Sequence, residues 1–259
     1  MNNNLKNYNF FYINGSSFSE GGGLEEPEIR NQSFRYVYEK EYGVSWKNRK
    51  EINWGHRLSE IIGIPCINEA QSGGGPMRSI RMTYDFIYKN WDKRNKFFII
   101  LENPDASRCD VYHKQTNSYF IVNTDMKTNK MLSASRDYWN KKYSNEDNNL
   151  QDVFNNWVDN HFDLKNQIIE NEKALIGLYS FCKSNGIKIF MMHNTFSIFT
   201  NIISNDDILK DDIYDFCLKN KLTILDEISK FGIKTEDTHP GYFGHIEYAK
   251  QIYKFLKNE

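Results

Sequence analysis

Short, uninterrupted runs of hydrophobic residues recur along the chain, and longer segments with helical spacing separate them. The runs lie at 10–13, 64–67, 97–101, 187–192 and 222–225. Apolar runs of this length, without polar alternation, are typical of parallel strands that are covered on both faces. The pattern therefore predicts five parallel strands.

Helical periodicity fills the intervals between these runs. Apolar residues recur with helical spacing after Pro76, and proline is favoured in the first turn of a helix. A second helical segment ends at Asn185 and Gly186, a typical C-cap, and a third follows Pro240. The alternation of strands and helices predicts a three-layer α/β/α fold around a parallel sheet of about five strands. Ligands bind at the carboxyl ends of the strands in such sheets, so a site is expected among the residues that follow each strand.

The chain length fits one large α/β domain that buries its own core. We predict a single domain over residues 1–259. Two stretches, 19–53 and 107–149, follow strand ends and break the alternation. We predict that both are insertions that frame a site, with plain surface loops as the alternative.

The charge balance argues against a nucleic-acid partner. The chain has 33 basic and 34 acidic residues, a formal net charge of -1, and no long run of one sign. A nucleic-acid-binding protein usually carries a basic patch, and this sequence shows none.

Cysteine usage and the lack of long apolar segments predict a chain made in the cytoplasm. The four cysteines are far apart and form no Cys-x-x-Cys pair, so we expect reduced thiols rather than a disulfide framework or a zinc site. Residues 1–8 lack the features of a signal peptide, and no apolar run approaches the roughly 18 residues that a membrane span needs. The cysteines are Cys66, Cys109, Cys182 and Cys217.

Serine, glycine, asparagine and histidine follow the predicted strands. Gly15, Ser16 and Ser17 come directly after the first strand, where a glycine turn can expose a serine hydroxyl. A glycine-rich segment after the second strand lets the backbone approach a ligand closely, and the helix at Pro76 directs free N–H groups to the same place. Asn103 follows the third strand, where its side chain can donate to an oxyanion.

A histidine lies near the C-terminus with two acidic residues directly before it. His239 precedes the last predicted helix, and Glu236 and Asp237 stand three and two residues upstream. A carboxylate can orient an imidazole, and that imidazole can take the proton of a serine hydroxyl.

These four segments together resemble the SGNH (GDSL-like) hydrolase family. The opening block of the family is similar to the segment Gly15-Ser16-Ser17-Phe18-Ser19, and its second block resembles Asn68, Ala70 and Gly73. The third block is matched only at Asn103, and the last resembles the segment 237–240 with a later Gly-His pair. The order of the blocks agrees with the family, and the resemblance spans nearly the whole chain.

The resemblance implies a role for each matching residue. Ser17 would be the nucleophile and His239 its general base, with Asp237 as the acid that orients the base and Glu236 as the alternative acid. The N–H groups of Ser17 and Gly73 and the side-chain amide of Asn103 would form the oxyanion hole. The family also implies a flavodoxin-like strand order, 2-1-3-4-5.

The chain departs from the family pattern in three places. Ser16 stands where the family often has Asp. Leu101 and Pro104 replace the Gly and the second Asp of the third block. Many members place the acid Asp three residues before the histidine, where this chain has Glu236, and others place it two before, where this chain has Asp237.

The reaction expected from these residues is acyl transfer to Ser17 and then to water, with no metal or organic cofactor. The expected substrate is a small-molecule or glycan ester with a short acyl chain, such as an O-acetyl group. Two alternatives stay open: an O-acyltransferase with the same triad, and an inactive binding module, because fold does not imply function. Metal-dependent hydrolysis is disfavoured because His239 and His245 are six residues apart, which turns their side chains away from one another on a helix.

Overall fold

The computed structural model describes most of the chain outside three long stretches at 23–33, 124–159 and 193–201. The described residues are 5–22, 34–46, 51–104, 106–113, 118–123, 160, 162–192, 202–209, 211–232 and 235–257. Within these ranges the description covers the backbone alone at residues 17, 34, 35, 109, 111, 113 and 118–123.

Five parallel strands form the central sheet, and a separate antiparallel hairpin follows the third of them. The strands in chain order are β1 (Phe10–Asn14), β2 (Cys66–Asn68), β3 (Phe97–Glu102), β4 (Arg108–His113), β5 (Ser118–Asn123), β6 (Lys188–Met192) and β7 (Ile208–Leu209). The sheet has the order β2-β1-β3-β6-β7, and β4 pairs with β5 in the hairpin. When only the five strands of the main sheet are numbered in chain order, their order is 2-1-3-4-5. Both the parallel sheet and this predicted strand order are therefore confirmed.

Helices connect the strands and cover both faces of the sheet. They are α1 (Ser17–Glu20), α2 (Phe34–Tyr42), α3 (Trp54–Ile62), α4 (Pro76–Lys89), α5 (Leu164–Ser184), α6 (Ile213–Asn220), α7 (Ile224–Ser229) and α8 (Tyr242–Lys257). Single 3-10 turns lie at Leu5–Asn7, Trp91–Lys93 and Asn205–Asp207.

Side-chain caps explain where several of these helices begin. Asn53 accepts the backbone N–H of His56 at 2.9 Å and starts α3, which ends at Gly63 with φ +80°. Asp163 and Asp212 cap α5 and α6 in the same manner. Each cap satisfies an N–H group that the helix itself leaves unpaired.

Alternate residues of β3 enter two different cores, which gives the molecule its three layers. Phe98 and Ile100 join a first cluster with residues of α3, α6 and α8. Phe97, Ile99 and Leu101 join a second cluster with residues of α4 and α5. Burial of each such side chain contributes about 1.5–3 kcal/mol. The continuous apolar run of β3 is thus explained by burial on both faces.

A smaller, third cluster lies beside the main cores. It joins α2 and the segment after it to α7 and the start of α8. Its buried residues are Val37, Tyr38, Trp46, Ile52, Ile224, Ile228 and Tyr242.

The predicted strand at 222–225 is wrong, and the fifth strand is Ile208–Leu209. Thr223 instead caps α7: its Oγ1 accepts the Asp226 N–H at 3.2 Å, and Asp226 Oδ2 accepts the Thr223 N–H at 3.2 Å. This reciprocal capping commits the following apolar residues to a helix.

Both predicted insertions contain regular structure where they are described. Helix α2 lies within 19–53, and the β4–β5 hairpin lies within 107–149. Residues 124–149 of the second insertion lie outside the described residues, and the assignment of one domain stays a prediction. Across the described ranges, no helix combines the length and apolar character required to cross a bilayer.

Candidate active site

A tight turn joins β1 to α1 and contains the serine pair. Ser16 is 1 % exposed; its Oγ accepts the Phe18 N–H at 3.3 Å and donates to the carboxylate of Glu102. The Ser19 N–H donates to the other oxygen of Glu102 at 3.2 Å. The hydroxyl of Ser16 is therefore buried and bound within the turn, and Ser17 stays the predicted nucleophile.

The backbone of Ser17 starts α1, directly after Ser16. Its side chain lies outside the described part of the structure. The expected contact between Ser17 Oγ and His239 therefore stays a prediction.

The loop after β2 lies against the serine turn. Asn68 Nδ2 donates to the Ser19 carbonyl oxygen at 2.8 Å, and the Gln71 N–H donates to the Gly15 carbonyl oxygen at 3.2 Å. Gly73, two residues further along, has φ +77°, a conformation that favours glycine. The structure thus places the glycine-rich loop beside the turn that carries Ser17.

The same loop contacts the β4–β5 hairpin through Gly75. A Cβ atom at Gly75 would lie 2.2 Å from the carbonyl oxygen of Arg108. The glycine is therefore required by the close approach of two backbones, and it fixes the start of the hairpin next to the site.

The end of β3 contributes Glu102 and Asn103. Asn103 is 5 % exposed, and its Oδ1 is buried without a hydrogen-bond partner among the described residues. A buried acceptor without a partner is unusual, and only the Nδ2 group of this side chain could donate to an oxyanion. Asn103 follows Glu102 directly, and Glu102 binds the serine turn, so Asn103 lies close to that turn.

His239 contacts Asp237 through both its ring and its backbone N–H. Asp237 Oδ1 lies 2.7 Å from His239 Nδ1 and accepts the backbone N–H of His239 at 3.0 Å. The side chain of Asp237 is 7 % exposed, and that of His239 is 30 % exposed. Glu236, the alternative acid, is exposed. The geometry thus gives the imidazole a buried carboxylate at Nδ1.

Backbone hydrogen bonds hold the histidine loop on α7. The Ile224 N–H donates to the His239 carbonyl oxygen at 2.8 Å, and the Leu225 N–H donates to the Asp237 carbonyl oxygen at 2.9 Å. The position of His239 is therefore set by the start of α7.

An aromatic contact brings His239 to the serine turn. The ring centroids of Phe18 and His239 lie 5.5 Å apart, and Phe18 stacks on Tyr214 at 5.0 Å. Phe18 directly follows Ser17 in α1. The structure therefore brings the predicted base next to the segment that carries the predicted nucleophile.

His245 has a different environment from His239. Its Nδ1 accepts the Trp54 N–H at 3.2 Å, and burial lowers its pKa to about 3, with a smaller contribution from the charge of His239. His245 is therefore neutral at physiological pH. Among the residues that the structure describes, no group of three or more His, Cys, Asp or Glu side chains could hold a metal ion.

A buried glutamate that the sequence did not indicate contacts the residues that directly follow the histidine loop. Glu227 accepts the Tyr38 hydroxyl at 2.6 Å and the Gly244 N–H at 3.0 Å, so it caps α8 just after His239. Burial raises the pKa of Glu227 to about 7. A Cβ atom at Gly241 would lie 2.2 Å from the carboxyl carbon of Glu227, so this turn also needs glycine.

Comparisons with known proteins find matches among solved structures alone. No protein-family model matches the chain. A search of curated proteins also finds no match. The chain is similar to the psychrotrophic esterase EstA from Pseudoalteromonas sp., in a structure inhibited by monoethylphosphonate, with 11 % sequence identity and a TM-score of 0.48. The similarity covers 96 % of this chain and 97 % of that one. At this level of similarity, EstA supplies no role for any residue of this chain.

Proposed function

We propose that the protein is a serine esterase of the SGNH type that hydrolyses O-acyl esters through Ser17, His239 and Asp237. The observation that carries the proposal is the 2.7 Å contact between Asp237 Oδ1 and His239 Nδ1, next to the turn that holds Ser17. A buried carboxylate at Nδ1 keeps the proton on that nitrogen, so the other ring nitrogen is free to accept a proton.

The reaction begins when His239 Nε2 takes the proton of the Ser17 hydroxyl and the oxygen attacks the ester carbonyl carbon. The negative charge that develops on the carbonyl oxygen is stabilised by the Ser17 and Gly73 N–H groups and the Asn103 amide, of which one donor is worth about 3 kcal/mol. His239 then protonates the leaving alcohol. Water, activated by the same imidazole, releases the acid and restores Ser17.

Exposure of the imidazole favours hydrolysis over acyl transfer to another acceptor. The side chain of His239 is 30 % exposed, so water reaches the group that must activate it in the second half of the reaction. An acyltransferase needs to exclude water at that stage. A short-chain ester, such as an O-acetyl group on a glycan, is the proposed substrate class.

The proposal is tested by labelling the intact protein with a fluorophosphonate and mapping the modified peptide, together with hydrolysis of p-nitrophenyl acetate. We expect the label on Ser17 and turnover that Ser17→Ala abolishes. Ser45→Ala removes an exposed serine outside the site and serves as the matched control, with label and turnover unchanged.

The other outcomes contradict the proposal in distinguishable ways. A label on another residue would exclude Ser17 as the nucleophile. Turnover that a chelator abolishes and Ser17→Ala leaves intact would indicate a metal-dependent enzyme. Neither label nor turnover in folded protein would favour the inactive binding module.

A further inference from the structure

One buried carboxylate binds the chain on both sides of the proposed nucleophile. Glu102 is 3 % exposed at the end of β3. It accepts the hydroxyl of Ser16, which precedes Ser17, and the N–H of Ser19, which follows two residues later. Ser17 is therefore the centre of a short segment whose two ends bind the same side chain.

The turn is shaped to fit this carboxylate. A Cβ atom at Gly15 would lie 2.5 Å from both Cβ and Oε2 of Glu102. Only glycine leaves room for Glu102 at this position, because real Cβ atoms do not approach other atoms so closely. Three residues on the two sides of Ser17, namely Gly15, Ser16 and Ser19, thus depend on Glu102 for their packing or hydrogen bonds.

Three backbone N–H groups in the first turn of α1 have hydrogen-bond partners within the protein. The Phe18 N–H binds Ser16 Oγ, the Ser19 N–H binds Glu102, and the Glu20 N–H binds the Ser16 carbonyl oxygen at 3.1 Å. The Phe18 and Ser19 N–H groups would otherwise lack a partner at a helix start, whereas the Glu20 N–H makes the first ordinary helical bond. They are distinct from the Ser17 N–H that the proposed mechanism assigns to the oxyanion.

We infer that Glu102 is a positioning residue, which holds the Ser16–Ser19 turn so that the Ser17 hydroxyl and N–H face His239 and the substrate. The inference rests on the proposed function. Glu102 acts through Ser16 and Ser19 rather than on the substrate. A shift of about 1 Å in such a turn can lower a rate roughly 100-fold, so this anchoring affects the chemistry more than it affects substrate binding.

The experiment compares Glu102→Gln, Ser16→Ala and the double variant with the wild type. The glutamine keeps the size of the side chain and removes its charge. Its amide has a single carbonyl oxygen, so it can accept from the Ser16 hydroxyl or from the Ser19 N–H but not from both. We expect each single variant to lower kcat for p-nitrophenyl acetate and the rate constant of fluorophosphonate labelling about 10- to 100-fold. The rates of the double variant should be little lower than those of the slower single variant, because residues that act as a unit give non-additive effects.

A matched control separates positioning from general loss of stability. Asp207 is another buried carboxylate, 1 % exposed, that binds Lys183, Lys188 and Tyr179 at the amino ends of the strands, away from the site. Asp207→Asn should lower the melting temperature, yet keep the labelling rate of the folded protein at the wild-type value. All rates are measured well below the melting temperature of the least stable variant.

Failure of the inference can be told apart from failure of the proposed function. If the wild type labels at Ser17 and Glu102→Gln labels at the same rate, Glu102 is not a positioning residue and the esterase proposal stands. Losses that add fully in the double variant, or an equal loss in Asp207→Asn, would also overturn the inference. If the folded wild type does not label at Ser17, both fall together.

Discussion

Asp237 binds His239 twice through the same oxygen, once at the ring nitrogen Nδ1 at 2.7 Å and once at the backbone N–H at 3.0 Å. The backbone contact fixes the carboxylate relative to the main chain. The ring contact then fixes the imidazole relative to the carboxylate. A residue only two positions upstream can therefore set both the rotation and the tautomer of the imidazole.

This arrangement predicts the order of losses among acidic variants. Asp237→Asn should lower kcat by orders of magnitude, because the amide no longer stabilises the imidazolium that forms in the transition state. Glu236→Gln is the matched control and should change kcat little, because Glu236 is exposed. Steady-state hydrolysis of p-nitrophenyl acetate measures both. If Asp237→Asn left kcat unchanged and Glu236→Gln lowered it, the acid that orients His239 would be Glu236.

The backbone contact at Gly75 predicts a loss of both stability and activity for Gly75→Ala. The added Cβ would overlap the Arg108 carbonyl oxygen at 2.2 Å, so the loop after β2 or the β4–β5 hairpin must shift. We expect a lower melting temperature, together with slower fluorophosphonate labelling of the protein that remains folded.

Gly177→Ala provides the opposite control for this substitution. Gly177 is exposed within α5, and a Cβ atom there would contact nothing within 4 Å. Alanine should stabilise the helix by about 0.5–1 kcal/mol and leave labelling unchanged. Equal behaviour of the two variants in thermal unfolding would contradict the packing described at Gly75.

Buried acids predict that the stability of the fold decreases as the pH rises toward neutrality. Burial raises the pKa of Glu227 from 4.5 to about 7 and that of Asp212 from 3.8 to about 7. At a pH between the ordinary and the raised pKa of each group, the folded state keeps a proton that the unfolded chain has released. The contribution is therefore complete below about pH 4 and is lost as the pH rises through 7.

The variant Glu227→Gln isolates one of these groups. For a pKa raised by this amount, Glu227 contributes up to about 3 kcal/mol to the change of the free energy of unfolding with pH. Free energies of unfolding from chemical denaturation at pH 5 and pH 8 should differ less in Glu227→Gln than in the wild type. Glu60→Gln, at an exposed position, should keep the wild-type difference. An unchanged difference in Glu227→Gln would show that Glu227 titrates normally.

The cluster around Asp207 predicts a stability effect without a catalytic one. Asp207 accepts hydrogen bonds from Tyr179 at 2.7 Å, Lys183 at 3.0 Å and Lys188 at 2.6 Å, and its pKa is lowered by these partners against the opposing effect of burial. Asp207→Asn should cost about 1.5–3 kcal/mol, the range for hydrogen bonds to a charged group. Thermal and chemical unfolding measure the loss. Wild-type stability would mean that these contacts contribute nothing in solution.

The main sheet could be predicted from the sequence because burial on both faces leaves a simple mark. The residues of β3 are apolar from Phe97 to Leu101, and this run needs no long-range information to interpret. The fifth strand could not be found in this manner, since Ile208–Leu209 has only two residues and no run to mark it. The signal that excluded 222–225 was present in the sequence, as the capping pair Thr223 and Asp226.

The candidate site was only partly accessible from the sequence. Residues that follow strand ends were identifiable, and the structure brings the His239 loop to the serine turn through the contact with Phe18. Glu102 and Glu227 were not identified, because their roles depend on partners 83 and 189 residues away in the chain. A charged residue that ends an otherwise apolar buried strand, as Glu102 ends β3, is the signal that points to such a partner.

The segment of the proposed nucleophile and the loop of the proposed base contact different hydrophobic clusters. Phe18, next to the nucleophile, packs on the first cluster, whereas the His239 carbonyl oxygen is bound by Ile224 of the third cluster. The third cluster is small and does not include the sheet, so on warming it should open as a separate cooperative unit at a lower free energy. The proposed esterase activity would then disappear at a temperature at which the amide protons of β3 still resist hydrogen exchange.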